Sequence, residues 1–497
     1  MLGAACVAGS WPAFVRHARA ADVPRFALGV ASGQPQAHTM VLWTMLTGPD
    51  LPQRVEVQWE LAHDEAFTRI AARGSEVAET AWAHSVHAEP LDLDPARWYW
   101  YRFTALGQLS AVGRTRTAPA ADAEVPGLHF AITSCQRWDV GHYAAWRHIA
   151  AEPLDLVMFL GDYIYESASP INALRMHNTG SVRTLAGYRA RYAQYKSDPA
   201  LQAAHAACPW LMVWDDHEVE NDYADQQGQR LQMDFAQQRA AAYQAYWEHM
   251  PFPKSVRPVG PEMRIISRLD WGRLARIHCL DDRQYRDVQA CPKPGRGGSN
   301  TVRLKDCPEL QDPRRTLLGA AQERWLAEGW SLTQPWNLLA QQTLMARFSW
   351  EDPARGGMYW TDGWDGYPAA RQRLLGAVAE RRVPGAVVLG GDVHAHYVAD
   401  LRVDFDDAKS APVATEFCGT SITSLGLQQQ RVDEAMRFNP HLHYGRADQR
   451  GYMSFTLDAK QLRVQLRVLD DALDPNSGVK TAARYTVGAA RAGAEPG

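Results

Sequence analysis

The stretch from Val157 to Tyr165, V-M-F-L-G-D-Y-I-Y, sets the architecture of this chain. An apolar run enters Gly161 and Asp162, and Tyr165 follows three positions on. This is the pattern of a central buried strand that ends in a loop bearing ligands. A second stretch is built the same way. From Val387 to His396, V-V-L-G-G-D-V-H-A-H, an apolar run enters two glycines and Asp392, with His394 and His396 beyond. Two strand ends that each present an aspartate, one near a tyrosine and the other near paired histidines, read as two halves of one metal site. The expectation is a metal-dependent hydrolase.

Further strands with polar ends surround these two. Leu128 to Thr133 enters Ser134 and Cys135; Leu211 to Trp214 enters Asp215, Asp216, His217 and Glu218; Arg273 to Leu280 enters Asp281, Asp282 and Arg283. Helical patterns lie between them, near 142–151, 185–195, 201–207, 231–249, 319–328 and 367–381. Strands mixed with helices predict a layered α/β domain over 128–485, with chemistry collected outside the C-terminal ends of the strands. Residues 25–118 differ. Val55, Val57 and Trp59 alternate with polar residues, and short strands at this spacing predict an antiparallel β-sandwich of immunoglobulin or fibronectin type. Residues 119–127 read as a linker, and 486–497, rich in Ala and Gly, as a frayed tail.

The 497 residues are 46% hydrophobic and 22% charged, with a formal net charge of -4, so no nucleic-acid-binding or polybasic membrane surface is indicated. No later stretch has the ~20 apolar residues of a membrane span. Residues 1–21 read as the remnant of a secretory signal with cleavage after Ala20, which makes the expected location secreted or periplasmic. Among seven cysteines, Cys291 and Cys307 flank a Gly/Lys/Pro-rich stretch and suit one local disulfide in an exported protein. The chain is expected to be a monomer.

Hydrolysis of a phosphate ester needs a deprotonated nucleophile, neutralised phosphoryl oxygens and a proton or metal for the leaving oxygen; metal ions about 4 Å apart, with a metal-bound hydroxide, supply much of this. Asp162 is the expected bridge. Taken singly, Cys135 reads as a small buried hydrophobe and Tyr165 as a core aromatic. With Asp162, Asp392 and His394 they read as ligands; a phenolate suits a hard, highly charged cation such as ferric iron, and a thiolate beside it points away from a magnesium-only site. In an extended loop Asp392, His394 and His396 point the same way. Asp216 or Asn221 is expected on a second metal. His217 is placed as general acid with Glu218 orienting it, and Arg283 is expected on substrate phosphate oxygens.

Ordered along the chain, S-C-Q at 134, G-D-Y-I-Y-E at 161, W-D-D-H-E-V-E-N at 214, L-D-D-R-Q-Y-R at 280, L-A-Q-Q-T at 339, D-G-W-D-G-Y-P-A-A-R at 362, G-G-D-V-H-A-H at 390 and E-F-C-G-T-S-I-T-S at 416 resemble the alkaline phosphatase D family. These PhoD-like metallophosphatases are a branch of the calcineurin-like and purple-acid-phosphatase-like metallophosphoesterases. The resemblance covers about 128–455, and 25–118 resembles the family's N-terminal fibronectin-like domain. It implies a four-layer α/β/β/α sandwich and a secreted phosphomonoesterase and phosphodiesterase, with one ferric and two calcium ions. Cys135, Asp162, Tyr165 and His394 would hold iron, and Asp162, Asp392 and Asp216 or Asn221 would hold calcium, while His217 and Arg283 would face the phosphate ester. Zinc or manganese is the lesser alternative. Asp282 stands where the family often has Thr. Rival readings are a phospholipase D-like or teichoic-acid phosphodiesterase, with Trp360, Trp364 and Tyr367 recognising a larger leaving group, and a non-catalytic secreted binding protein.

Overall fold

The computed structural model describes residues 23–407 and 409–497; the signal-like stretch lies outside them. The strand Trp336–Ala340 shows how the fold is built. Side chains of a strand alternate between faces. Leu338 packs into one core and Leu339 into another. Val387 and Leu389 likewise join the first core and Val388 the second, as do Phe417 and Cys418 respectively. These strands belong to a seven-stranded sheet in which Ala275–Cys279, Trp336–Ala340, Ala386–Gly390 and Pro412–Cys418 run parallel. Its second core is closed by Leu326, Leu375 and Val432 of the helices Gly319–Gly329, Pro368–Arg381 and Gln429–Met436.

The first core faces a ten-stranded sheet whose centre is the parallel set Leu128–Thr133, Leu156–Phe159 and Trp210–Met212. Phe455 of this sheet stacks on Phe130 at 4.6 Å and meets Phe417 of the seven-stranded sheet edge-on at 5.7 Å. On the outer side Trp146 of the helix Ala144–Ala151 packs on Trp210, with ring centroids 4.9 Å apart. The protein is thus a mixed α/β sandwich in which two sheets face each other and helices pack on them. A parallel bridge between Ser134 and Ser421 ties the two sheets together at the end where the polar loops emerge.

The N-terminal region contributes to two sheets. Arg54–Ala62 buries Val55, Val57 and Trp59 and exposes Glu56 and Gln58, as the period-two pattern predicts, within a five-stranded sheet. Val30–Gly33, Val41–Met45 and Ser85–Ala88 instead extend the ten-stranded sheet, with Gly33 paired in parallel to Trp210. A Cβ on Gly33 would lie 2.8 Å from the Trp210 carbonyl oxygen and from Pro251, so this junction admits no side chain. Among the described residues no helix is long and apolar enough to cross a membrane.

Two expectations are corrected here. The tail is not frayed: Val479–Gly488 and Arg491–Pro496 form an antiparallel hairpin at the edge of the large sheet. The Gly493 N–H donates to Thr415 Oγ1 at 2.8 Å, and Ala494 is buried. The small side chains that look like disorder are what lets this strand lie close against its neighbour. The loop from Asp392 to His396 is not extended as expected, because Asp392 and His394 both adopt positive φ, 62° and 52°. The Cys291–Cys307 disulfide is formed.

Removing the ring that joins the sheets should cost most of a typical core truncation. Phe455→Ala is expected to lower stability by about 3–5 kcal/mol, read as a lower urea midpoint with little change in m-value.

Candidate metal centre

Three strand ends of the large sheet and one of the smaller sheet converge on a single cleft. The loop after Leu156–Phe159 turns at Gly161, φ 109°, where a Cβ would sit 2.4 Å from Asp215 Cβ. This close approach brings Asp162 beside the 214–222 loop. Glu218 then fastens both loops: its carboxylate accepts from the backbone N–H of Asp162 at 3.1 Å, of Asp215 at 2.8 Å and of Tyr163. Burial pushes the Glu218 carboxyl up to about 7 although these N–H groups favour its charge. The Cys135 N–H donates to the Gly161 carbonyl at 3.0 Å, which sets the first loop beside the second. Gly390 and Gly391 bring in the far sheet; a Cβ on Gly391 would meet Ser134 Oγ at 2.5 Å.

Ligand-bearing atoms of Cys135, Asp162 and His394 lie within 4.8 Å of one another, and so do those of Asp162, Asp216 and His217. The Tyr165 hydroxyl donates to Asp162 Oδ2 at 2.7 Å and lies 3.2 Å from His394 Nε2. His394 Nδ1 is 2.8 Å from the Leu425 carbonyl oxygen. That acceptor holds the proton on Nδ1 and leaves Nε2 a lone pair for a cation. Asn221 lines the same cleft as Asp216, the two alternatives for the second metal.

The electrostatics are those of a site short of positive charge. Burial, with Asp216, Asp215 and Glu218 nearby, holds the Asp162 carboxyl well above the usual range against the pull of His217. Burial does the same to Asp215 and Asp392 despite Arg283. The Cys135 thiol and the Tyr165 hydroxyl are raised by burial and by Asp162, and burial lowers His394 to about 4. Asp216 Oδ1 and Asp392 Oδ2 are buried without a hydrogen-bond partner, an arrangement costly unless a cation completes it. Thiolate, phenolate and imidazole donors sit on one side and carboxylate oxygens on the other, which fits a transition-metal ion beside harder, oxygen-loving cations.

His217 stands between Tyr165, with ring centroids 4.1 Å apart, and Glu166, whose Oε2 is 2.7 Å from Nδ1. Burial disfavours its charge, but Glu166, Asp162 and Asp216 outweigh burial and hold its pKa well above the ordinary value. The orienting carboxylate is therefore Glu166, not Glu218 as expected. Glu166 also accepts from the Asn221 N–H at 3.1 Å.

Arg283 departs from its expected place on substrate. Its side chain is 1% exposed; Nε is bonded to Asp215 and Nη1 donates to Asp362 at 2.5 Å, while Nη2 is 3.7 Å from Asp392. Nε and Nη1 are spent on carboxylates behind the cleft, which Arg283 itself does not line. Asp362 is shared with Arg286 at 2.7 Å and Gln289 at 2.7 Å. Asp282 also lies apart, pairing its backbone and carboxylate with Gln342. His396 is buried in a strand and accepts from the Thr420 N–H at 3.1 Å. Trp360 and Trp364 line the cleft, but the Tyr367 hydroxyl turns away to the Asp287 carbonyl. Sequence reasoning assigned no role to Ser424, which donates to the Tyr165 oxygen at 2.6 Å; its position in the E-F-C-G-T-S-I-T-S motif was the available signal.

Comparison with known proteins gives a consistent family. The PhoD-like phosphatase family matches residues 130–466, and the N-terminal domain of PhoD-like phosphatases matches 11–119. Alkaline phosphatase D of Bacillus subtilis (strain 168) is 43% identical over 478 residues, 93% of this chain and 80% of that protein. A solved structure described as the structure of PhoD superposes with a TM-score of 0.90 at 41% identity, covering 95% of this chain and 92% of the other.

Because Gly161 needs both its left-handed backbone and its missing Cβ, Gly161→Val should separate the Asp162 and Asp215 loops. The expected result is a folded protein by circular dichroism with metal content, measured by elemental analysis, reduced at least about tenfold.

Proposed function

This chain belongs to the PhoD-like phosphatase family and is a phosphoric ester hydrolase of the alkaline phosphatase D kind, and from that premise we propose how its residues divide the work. Cys135, Asp162, Tyr165 and His394 hold one ferric ion. Asp162, Asp392 and either Asp216 or Asn221 hold two calcium ions. The observation that carries this reading is the meeting of the Cys135, Asp162 and His394 ligand atoms within 4.8 Å, with Asp216 against Asp162 on the other side. When bound, these cations neutralise the phosphoryl oxygens and lower the pKa of the attacking water.

The chain's own groups do the rest. Asp162 anchors both halves of the ligand set through loops that Glu218 fastens. The Leu425 carbonyl fixes the His394 tautomer. His217 faces the phosphate ester and carries the proton needed by the leaving oxygen, and Glu166 at 2.7 Å keeps that proton in place as pH rises. Arg283 binds no substrate in this reading; it neutralises Asp215 and Asp362 and so fixes the loops that carry the ligands. The enzyme acts on phosphate mono- and diesters. Export to the periplasm or the outside is supported by the Cys291–Cys307 disulfide, a bond that persists in oxidising compartments.

Asp162→Asn is expected to lose both metal and turnover, and His217→Ala to keep metal while turnover falls about 100-fold or more. Elemental analysis beside initial rates separates the two, and the loaded wild type should show a tyrosinate-to-iron absorption band. Wild-type turnover in either variant defeats the assignment.

The sign of the Glu166 effect is fixed by the carboxylate, which raises the His217 pKa. The protonated form persists below that raised pKa and is lost above it. Glu166→Gln removes a raising influence, so the alkaline limb of the kcat profile should move to lower pH; a profile unmoved would remove Glu166 from the mechanism.

A further inference from the structure

The cleft that holds the metal ligands has a volume of about 630 Å³, far more than a phosphate group fills, and its outer part has a different chemistry from its floor. Phe348, Trp350, Met358, Leu425 and Leu427 give it an apolar lining. Leu425 is 69% and Leu427 42% exposed, two residues apart on one irregular loop. Leu425 is also the residue whose carbonyl holds His394, so the apolar mouth is continuous with the ligand floor and cannot drift from it. Arg431 stands beside this mouth. Its guanidinium lies 5.3 Å from the Trp350 ring centroid, and among the described residues it makes no ion pair with a carboxylate.

We propose that this mouth is a subsite for the organic group of the ester. It takes a flat, apolar group that carries its own negative charge, packed among Phe348, Trp350 and Met358 with the anion on Arg431. The proposal rests on the cleft being the hydrolytic site assigned above. An aromatic surface contributes area and stacking at small entropic cost, and a guanidinium held over an indole keeps its donors free for a carboxylate or a second phosphate. The walls exclude water from the ester's organic group, while Arg431 discriminates among such groups by charge. Whether that charge belongs to a carboxylate or to a second phosphate, the recognition chemistry is the same.

The test uses the metal-loaded full chain and three monoesters: phenyl phosphate, 4-carboxyphenyl phosphate and glycerol 2-phosphate, with release of inorganic phosphate as the readout. The wild type should show a KM for the carboxyphenyl ester about tenfold below that for the phenyl ester. Arg431→Leu should shrink that difference to less than about twofold, and Arg431→Lys should restore part of it. Trp350→Ala should raise KM for both aryl esters about tenfold relative to glycerol 2-phosphate, with Trp350→Phe close to wild type. A wild type that does not distinguish the two aryl esters overturns the proposal. So does an Arg431→Leu enzyme that keeps the preference, or a Trp350→Ala enzyme weakened equally on all three. Failure of the underlying assignment shows differently, as a wild type inert on every ester, and overturns both.

Discussion

Mutual repulsion among buried carboxylates is the constraint around which this protein is organised. Asp162, Asp215, Asp216 and Asp392 come together where two sheets meet, and one guanidinium, that of Arg283, lies within 4.0 Å of the last three. Even with the His217 imidazolium beside Asp162 and Asp216, Arg283 cannot neutralise that set, and a buried carboxylate without a partner is expensive. The fold nevertheless presses the loops together. Gly161, Gly390 and Gly391 each occupy a place where a Cβ would collide with the neighbouring loop, and Glu218 ties two of the loops by their backbone N–H groups. Packing energy from the two cores therefore holds in place an arrangement that its own charges oppose. Such a site stores its affinity for cations in advance, which is what preorganisation means in electrostatic terms.

The helices and sheets around the cleft follow from that requirement. The ligands arrive on loops, but the loops leave strands whose inner faces are locked by Phe130, Phe417 and Phe455. A site on rigid elements keeps its geometry when substrate and product exchange. The disulfide serves the same end from outside. It closes the segment that carries Ser299, whose N–H and hydroxyl both bond Asp222 Oδ2, at 2.9 and 2.7 Å. The Asp222 N–H in turn donates to Asp216 at 2.6 Å.

Much of this was legible in the sequence because apolar runs that stop at Gly-Asp mark strand ends, and strand ends in α/β folds gather chemistry. Cys135, Asp162, Tyr165, Asp216, His217, Asp392 and His394 all stand beyond the ends of apolar runs, and the structure brings them near one another. What escaped was partnership across the chain. Glu166 meets His217 over 51 positions and Ser424 meets Tyr165 over 259, separations that no local pattern encodes. Arg283 misled for the same reason. Its residue type suits a phosphate, but Asp215 and Asp362 reach it first, 68 and 79 positions away. The loop at 392–394 and the tail misled in opposite ways. One looked extended and is left-handed at two residues; the other looked loose and is a strand held by Thr415.

The pairing of Gly33 with Trp210 gives the amino-terminal region a second duty. Without Val30–Gly33, the strand that delivers Asp215 and Asp216 would become a raw border, with its peptide groups bare on one side and ready to recruit a strand from any passing chain. Val30–Gly33, Val41–Met45 and Ser85–Ala88 thus act as a permanent guard rail against self-association for the half of the molecule that does the chemistry, and an enzyme lacking them would be betrayed by its solubility before its activity.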